Sequence, residues 1–314
     1  MPARRILYVT DNPEKPTGGT IIAREHVRIL VRNGFDAALL VRRDMQPDYY
    51  DAGVPVIAMG ESFTPDAADI LVIPEPWNDV LTAMADKPGR KVVFCQNHHY
   101  VYYGLGAGGS YDRFNVSTVF SCGQVIAGYL RTTLGLARVP VVHNGIDTDL
   151  FRPERNKRRQ IAVMPRKMPV EANFIRETFR RRHPRYARLP WVTIDGVPRR
   201  EVARILAETP VFLALGRLEG FGLPPLEAMA SLSLVVGFTG GGGDEFATAD
   251  NGFWCRAEDW IGCADALARA MDLCENPVPE SSRRLKAGLA TARRYGLDRM
   301  ERELLAFWRE ETEL

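Results

Sequence analysis

Two carboxylates eight positions apart, Glu219 and Glu227, bracket the run Gly220-Phe221-Gly222-Leu223-Pro224-Pro225-Leu226. The apolar stretch Val211 to Leu215 ahead of them has the composition of a buried parallel strand, and Leu226-Glu227-Ala228-Met229-Ala230 is built of strong helix formers. The spacing therefore predicts a strand, a glycine-bearing turn and a helix. Backbone N–H groups at such a helix start hold anions, glycines let a ligand approach the backbone, and proline suits a first helical turn whose N–H groups have no intrahelical partner. Carboxylates beside a phosphate site accept hydrogen bonds from hydroxyls, which a nucleotide sugar carries in number. Other candidates stand at what read as strand ends: Glu75 in Pro74-Glu75-Pro76-Trp77, His98, His99 and Tyr100 after Val92 to Phe94, and Arg166-Lys167 after Gln160 to Met164.

The elements that must position these groups read as two α/β series. Ile6 to Val9 is a first strand, and Asp11 to Thr20 a loop holding Pro13, Pro16 and the pair Gly18-Gly19. A helix follows, with Ile22, Val27, Leu30 and Val31 as its apolar stripe and Gly34 as its stop. Short apolar runs at Ala37 to Val41, Ile70 to Ile73, Val92 to Cys95, Thr118 to Ser121 and Val139 to Val142 continue the alternation. After Asn144-Gly145-Ile146-Asp147 the charged stretch Phe151 to Arg159 reads as an interdomain linker. The second series has expected strands at Gln160 to Met164, Trp191 to Ile194, Val211 to Leu215 and Leu234 to Gly237. Its expected helices lie near Glu171 to Arg182, Arg199 to Glu208, Pro224 to Ala230 and Trp260 to Cys274. Leu304, Leu305 and Trp308 share one helical face in the tail, which must pack against something.

At 314 residues, with 46% hydrophobic and 25% charged residues, the chain suits two globular domains. No apolar run nears the roughly 20 residues that span a bilayer, and Met1 leads straight into a strand, so a cytoplasmic protein is expected. Five scattered cysteines without a Cys-x-x-Cys pair suggest neither a disulfide framework nor zinc. The net charge of +2 hides an uneven distribution, because Arg152 to Arg204 holds 16 Arg or Lys against 5 Asp or Glu. That surplus suits a phosphorylated ligand, an anionic membrane surface or a solvated helix face. Nucleic acid is not expected, since the interleaved aromatics of a stacking platform are missing.

Four ordered segments carry a resemblance. Gly18-Gly19 after the first strand, Val141-Val142-His143-Asn144-Gly145-Ile146-Asp147 through Phe151-Arg152-Pro153, Glu219 through Glu227, and Gly240-Gly241-Gly242-Gly243-Asp244-Glu245 with Asn251-Gly252-Phe253 together resemble the retaining glycosyltransferases of the GT-B fold, family 4 (glycosyl transferases group 1). The resemblance implies an α/β fold of two Rossmann-like domains whose parallel sheets face across an interdomain cleft. Residues 1–152 would be the acceptor-side domain, with 298–314 packing back on it, and 153–297 the nucleotide-sugar-binding domain.

The resemblance also implies roles. Glu219 would contact the donor sugar, and the amides of Gly220, Phe221, Gly222 and Leu223 the sugar and diphosphate. Glu227 would bind the ribose hydroxyls, with Gly18 and Gly19 also on the donor side. Arg166 and Lys167 would neutralise the diphosphate, although the family's basic pair lies several residues apart. Arg166 is suited to bidentate phosphate contacts and Lys167 to a point charge. A histidine near the cleft would contact the donor sugar; His98 and His99 both qualify, because neighbours in an extended segment face opposite ways. Glu75 and Tyr100, the latter with Tyr102 and Tyr103, are acceptor-side candidates. Asp147-Thr148-Asp149 has the Asp-x-Asp form of a GT-A metal site, but its place before the linker marks it as structural, and no metal or cofactor is expected.

Partners would be a nucleotide sugar and a glycan, lipid-linked or small-molecule acceptor. Bacterial surface-polysaccharide assembly, with peripheral contact at the inner face of the membrane, is the setting the resemblance suggests. The chemistry would be transfer with retention, the departing phosphate oxygen taking the acceptor proton. A catalytically silent GT-B subunit and a nucleotide-sugar 2-epimerase are the alternatives. The sequence carries no signal of oligomeric state.

Overall fold

The computed structural model describes residues 4–11, 17–42, 54–60 and 63–313. Pro13 and Pro16 lie outside them. The chain divides into two compact units, Met1–Asn144 with Met300–Leu314, and Gly145–Arg299.

The first unit is built on a six-stranded parallel sheet of β1 (Ile6–Thr10), β2 (Ala37–Val41), β3 (Val56–Ala58), β4 (Ile70–Pro74), β5 (Arg90–Cys95) and β6 (Val116–Ser121), in the order β3-β2-β1-β4-β5-β6. This is the doubly wound order in which the winding reverses between β1 and β4, so ligands are expected outside the carboxyl ends of those strands. The helices are α1 (Gly18–Arg32), α2 (Asn78–Met84), α3 (Val101–Leu105) and α4 (Gln124–Leu134). β1, β2 and β4 are continuous apolar runs because strands covered by helices on both faces have no solvent side.

The second unit carries β7 (Ile161–Val163), α5 (Pro169–Arg182), β8 (Trp191–Thr193), α6 (Arg199–Glu208), β9 (Val211–Glu219), α7 (Leu223–Ala230), β10 (Leu234–Gly241), β11 (Phe253–Trp254), α8 (Trp260–Glu275) and α9 (Pro279–Arg294). Its parallel sheet has the order β11-β10-β9-β7-β8, whose winding reverses between β7 and β9. The core between this sheet and its helices centres on Ile161, Ile175, Phe179, Val211, Leu213, Val236 and Leu267.

The last helix, α10 (Leu297–Glu313), packs its residues from Met300 onward into the first unit. Trp308 is fully buried and donates its indole N–H to the Tyr8 hydroxyl at 3.0 Å, while Phe307 lies 4.5 Å from Phe120. Glu311 is fully buried as well, but Arg90, Arg138 (2.8 Å) and Thr118 (3.0 Å) all donate to it.

Several local expectations change. Gly18 and Gly19 are the first turn of α1 rather than loop, because Thr17 caps the helix in a reciprocal pairing with Thr20. Val139 to Val142 forms no strand; only Val141 makes an isolated bridge to Ser121. The stretch Phe151 to Arg159 is no linker, since the unit boundary falls at Asn144–Gly145 and Phe151 is fully buried. Lys157 Nζ donates to the carbonyls of Leu206, Ala207, Thr209 and Ser231 at 2.8–3.3 Å, which fixes this segment to the ends of α6 and α7.

About half of the basic residues in this stretch are ion-paired with the unit's own carboxylates. Arg182 and His183 share Asp265, Arg185 reaches Asp272 and Glu275, and Arg204 lies between Glu201 and Glu208. Such exposed pairs each contribute about 0–1 kcal/mol and leave much of α5 a solvated helix face. Among the described residues no helix is long and apolar enough to cross a membrane.

Candidate active site

β9 runs further than its apolar core, so that Glu219 is its final residue, pairing with Gly241 of β10 after a register shift. Leu218, just before it, has φ of 51°, a left-handed conformation costly for a branched residue. The chain then bends through Gly220 and Phe221 into α7. Phe221 is buried, with its ring 5.9 Å from Phe246 and 5.5 Å from Tyr295. Its side chain anchors the turn, and only its amide is left for a ligand. No side chain caps α7, and Pro224 and Pro225 have no N–H. The amides of Phe221, Gly222 and Leu223 have no acceptor among the described residues. This is the geometry of an anion site at a helix start.

The loop after β10 is wedged against this turn. A Cβ on Gly240, whose φ is 67°, would stand 2.7 Å from Glu219 Cγ, and one on Gly242 would overlap the Gly220 backbone. The glycine run Gly240 to Gly243 therefore serves close approach. Asn251 orders the following turn, donating to the Phe246 carbonyl at 2.7 Å and accepting from Trp254 Nε1 and the Thr248 amide, each at 2.9 Å.

Arg166 and Lys167 occupy the corner of a turn closed by Met168 N–H to the Pro165 carbonyl, at the carboxyl end of β7. Lys167 Nζ lies 2.8 Å from Glu219 Oε1. Thus the basic pair and the first glutamate meet where the winding between β7 and β9 reverses, where this topology places ligands. Adjacency gives the two bases different settings: Lys167 points at Glu219, and Arg166 is exposed with no ion pair among the described residues. Arg217, two residues before Glu219, faces Glu171 at 3.8 Å.

Glu227, one turn into α7, is 8% exposed and its carboxylate has no hydrogen bond among the described residues. Burial pushes its pKa up to about 7, opposed by the positive charge of Arg199. Arg199, which opens α6 and rests its guanidinium 5.4 Å from the Phe151 ring, escaped sequence reading. No local pattern marks it, since Val197-Pro198-Arg199-Arg200 reads as one more piece of the basic stretch. Asp147 accepts from the amides of Asp149 at 3.1 Å and Leu150 at 2.9 Å, a local turn.

In the first unit the candidates gather at the carboxyl ends of β4 and β5. Glu75 is 4% exposed, and its two carboxylate oxygens accept from the backbone amides of Gln96 at 3.1 Å and Asn97 at 3.0 Å. Burial raises its pKa to about 7 against the opposing effect of those bonds. Asn97 in turn accepts from His99 N–H at 3.1 Å, capping a short 3₁₀ turn of His98–Tyr100. The two imidazoles stand 4.0 Å apart, His98 against Tyr129 at 4.9 Å. His98 is the more buried, and burial, then the neighbouring His99, lowers its pKa to about 4, so it is neutral at physiological pH. Gly19 approaches this turn, its carbonyl accepting from Gln96 Nε2 at 3.3 Å. Tyr100 stacks obliquely on Tyr103 at 5.8 Å, and Tyr129 donates to the Tyr102 hydroxyl at 3.1 Å. Tyr102 and Tyr103 are exposed, which makes them surface rather than core.

Solved structures share this architecture over nearly the whole chain. A glycosyltransferase from Rickettsia africae covers 99% of each chain with a TM-score of 0.72 at 14% identity. Sucrose-phosphate synthase from Thermosynechococcus elongatus covers 98% of each, with a TM-score of 0.74 at 14% identity. Anabaena HepE, solved with UDP and glucose, covers 98% of this chain and 100% of its own, with a TM-score of 0.75 at 14% identity. These likenesses establish the fold, GT-B. Residues 192–287, from β8 into α9, match the model of glycosyl transferases group 1, and that segment contains Arg199, Glu219 and Glu227. The fold is thus GT-B, and the segment that matches the family model covers 192–287 of the 314 residues. Among curated proteins, an alpha-1,6-glucosyltransferase from Actinobacillus pleuropneumoniae serotype 7 (strain AP76) is 27% identical over 232 residues, covering 71% of this chain and 69% of that protein.

Proposed function

We propose that this chain is a retaining, metal-independent glycosyltransferase of the family 4 type, moving a sugar from a nucleotide-diphosphate sugar to a hydroxyl of a glycan or lipid-linked acceptor. The observation that carries the reading is Glu227: a buried carboxylate with no hydrogen bond among the described residues, one helical turn beyond amides that have no acceptor. Such a group is costly to keep unless something else completes it. Ribose hydroxyls donating to Glu227 while the diphosphate takes the amides of Phe221 to Leu223 would complete both.

In this reading Lys167 meets the diphosphate, with Arg166 beside it, and Glu219, steadied by Lys167, receives a hydroxyl of the donor sugar. The bond from the anomeric carbon to the departing phosphate oxygen breaks as the acceptor oxygen bonds to that carbon on the same face. The acceptor proton passes to the phosphate oxygen. The protein's share is to stabilise charge growing on the diphosphate, in an oriented and partly dehydrated setting. His98, neutral, and His99 would orient the sugar. The glucosyltransferase relative and the UDP complex of HepE make UDP-glucose the first donor to try. Surface-polysaccharide assembly is the corresponding setting.

A thermal-shift panel of UDP, GDP and ADP followed by NMR of the product tests the proposal. A ligand at 100 times its dissociation constant adds about 2.7 kcal/mol of stability. Stabilisation by one of them, and transfer from an α-linked donor to an α-linked product, is the expected result. Absence of stabilisation by any nucleoside diphosphate, an inverted product, or a 2-epimerised donor without acceptor would overturn it.

A further inference from the structure

Glu75 lies at the carboxyl end of β4, where an acidic side chain could be held out toward a substrate. It is not. Both of its oxygens are engaged by successive backbone amides of the β5 exit, Gln96 at 3.1 Å and Asn97 at 3.0 Å. With Glu75 ionised these are charge-assisted bonds, and two of them converging on one carboxylate fix the orientation of a peptide segment as well as its position. The constraint is passed on at once, because the side chain of Asn97 accepts from His99 N–H at 3.1 Å and caps the turn that carries His98 and His99.

The rest of the local packing presses on the same point. Gly104 of α3 lies so close to Glu75 that a Cβ there would overlap the Glu75 carbonyl oxygen, and Asn78 Nδ2 donates to the Gly104 carbonyl at 2.6 Å. α3 follows the histidine turn directly, so both ends of the His98–Leu105 segment are tied to the residues that follow β4.

We infer that Glu75 is a positioning residue: its carboxylate clamps the Gln96 and Asn97 amides so that His98 and His99 are presented to the substrate sugar in one fixed geometry. The inference rests on the glycosyltransferase reading for what the histidines do, and on the structure alone for the clamp. It replaces the acceptor-side role that the sequence suggests for this residue.

The test compares wild type with Glu75→Gln in the full-length protein. A carboxamide offers one acceptor oxygen, and its NH₂ faces the second amide, so one of the two backbone bonds must break. NMR of the Gln96 and Asn97 amides and of the His98 and His99 imidazoles reads the clamp directly; all four sets of resonances should shift. With UDP-glucose as probe, turnover should fall at least tenfold while KM for the donor and the affinity for UDP stay within twofold. Introduced into a His98→Ala/His99→Ala background, Glu75→Gln should cause no further loss. Asn97→Ala, which removes the cap, should reproduce the imidazole shifts and the fall in turnover if Glu75→Gln does not fold.

Unmoved amide and imidazole resonances, or a loss that adds fully to that of the histidine substitutions, would overturn the inference. If wild type turns over no donor, the transferase reading fails, and the resonances still decide the clamp.

Discussion

Replacing Glu227 by glutamine should make the free protein more stable and its nucleotide complex weaker, two effects of opposite sign from one atom-for-atom change. Burial lifts the folded-state pKa of Glu227 from 4.5 to about 7. An acid whose pKa is raised on folding burdens the folded state once it must ionise: nothing is lost below about pH 4.5, where both states are protonated, and the loss grows as pH rises and is complete above about pH 7. The shift corresponds to about 3 kcal/mol at pH 8.

Glutamine is neutral throughout, so Glu227→Gln should raise the melting temperature at pH 8, with roughly 2–4 °C expected for each kcal/mol in a unit of this size. Near pH 4.5 the two proteins should melt alike. On binding, hydrogen bonds from ribose hydroxyls to a carboxylate become bonds to a neutral amide, a loss of roughly 1–3 kcal/mol or about 5-fold to 150-fold in Kd for UDP. Calorimetric melting at the two pH values, with UDP titrated into each protein at pH 8, reads both effects. A variant that is less stable at pH 8, or one that binds UDP as tightly as wild type, would refute the idea that this carboxylate is strained in the free protein and completed by ligand.

The basic pair should divide its work unequally. Lys167→Met should weaken UDP affinity about tenfold, more than Arg166→Met does, because only Lys167 is directed at the Glu219 site; its effect on stability should stay within about 1 kcal/mol, as befits a partly exposed pair. Equal effects of the two substitutions on affinity would contradict that division. In the first unit, His26 is fully buried and its pKa is driven down to about 3 by burial. Its Nδ1 lies 3.1 Å from the Tyr8 hydroxyl. Below pH 6.5 the unfolded imidazole gains a proton that the folded one refuses, so stability of this unit should fall by about 3 kcal/mol between pH 6.5 and pH 4. Amide exchange in β1 would follow it, and a slope that survives in His26→Phe would assign the loss to other groups.

Much of the second unit's candidate site could be drawn from the sequence because its signal is local. A strand, glycines, paired prolines and a helix former run occur within twenty residues, and each constrains the backbone by its own chemistry. The two-unit α/β architecture was legible for the same reason: unbroken apolar runs such as Ala37 to Val41, short and bounded by turn residues, suit strands covered on both faces. The short approach of Lys167 to Glu219, 52 positions apart in sequence, follows from topology, since β7 and β9 are neighbours in the sheet. Spacing along the chain cannot show that.

What stayed hidden depends on partners supplied from a distance. Phe151 to Arg159 has the composition of a linker, yet Lys157 satisfies four carbonyls from segments about 50 to 74 residues away, and an ammonium with that many acceptors becomes a fastening. Arg199 is one arginine among sixteen basic residues until folding sets it near Glu227. Glu75 is the sharpest case. Its type and its place at a strand end are the marks of a substrate-facing acid, and only the positions of the Gln96 and Asn97 amides show that the backbone has already claimed it. Residue type therefore names the chemistry that a side chain can do, and the through-space partner decides whether a ligand or the protein itself receives it.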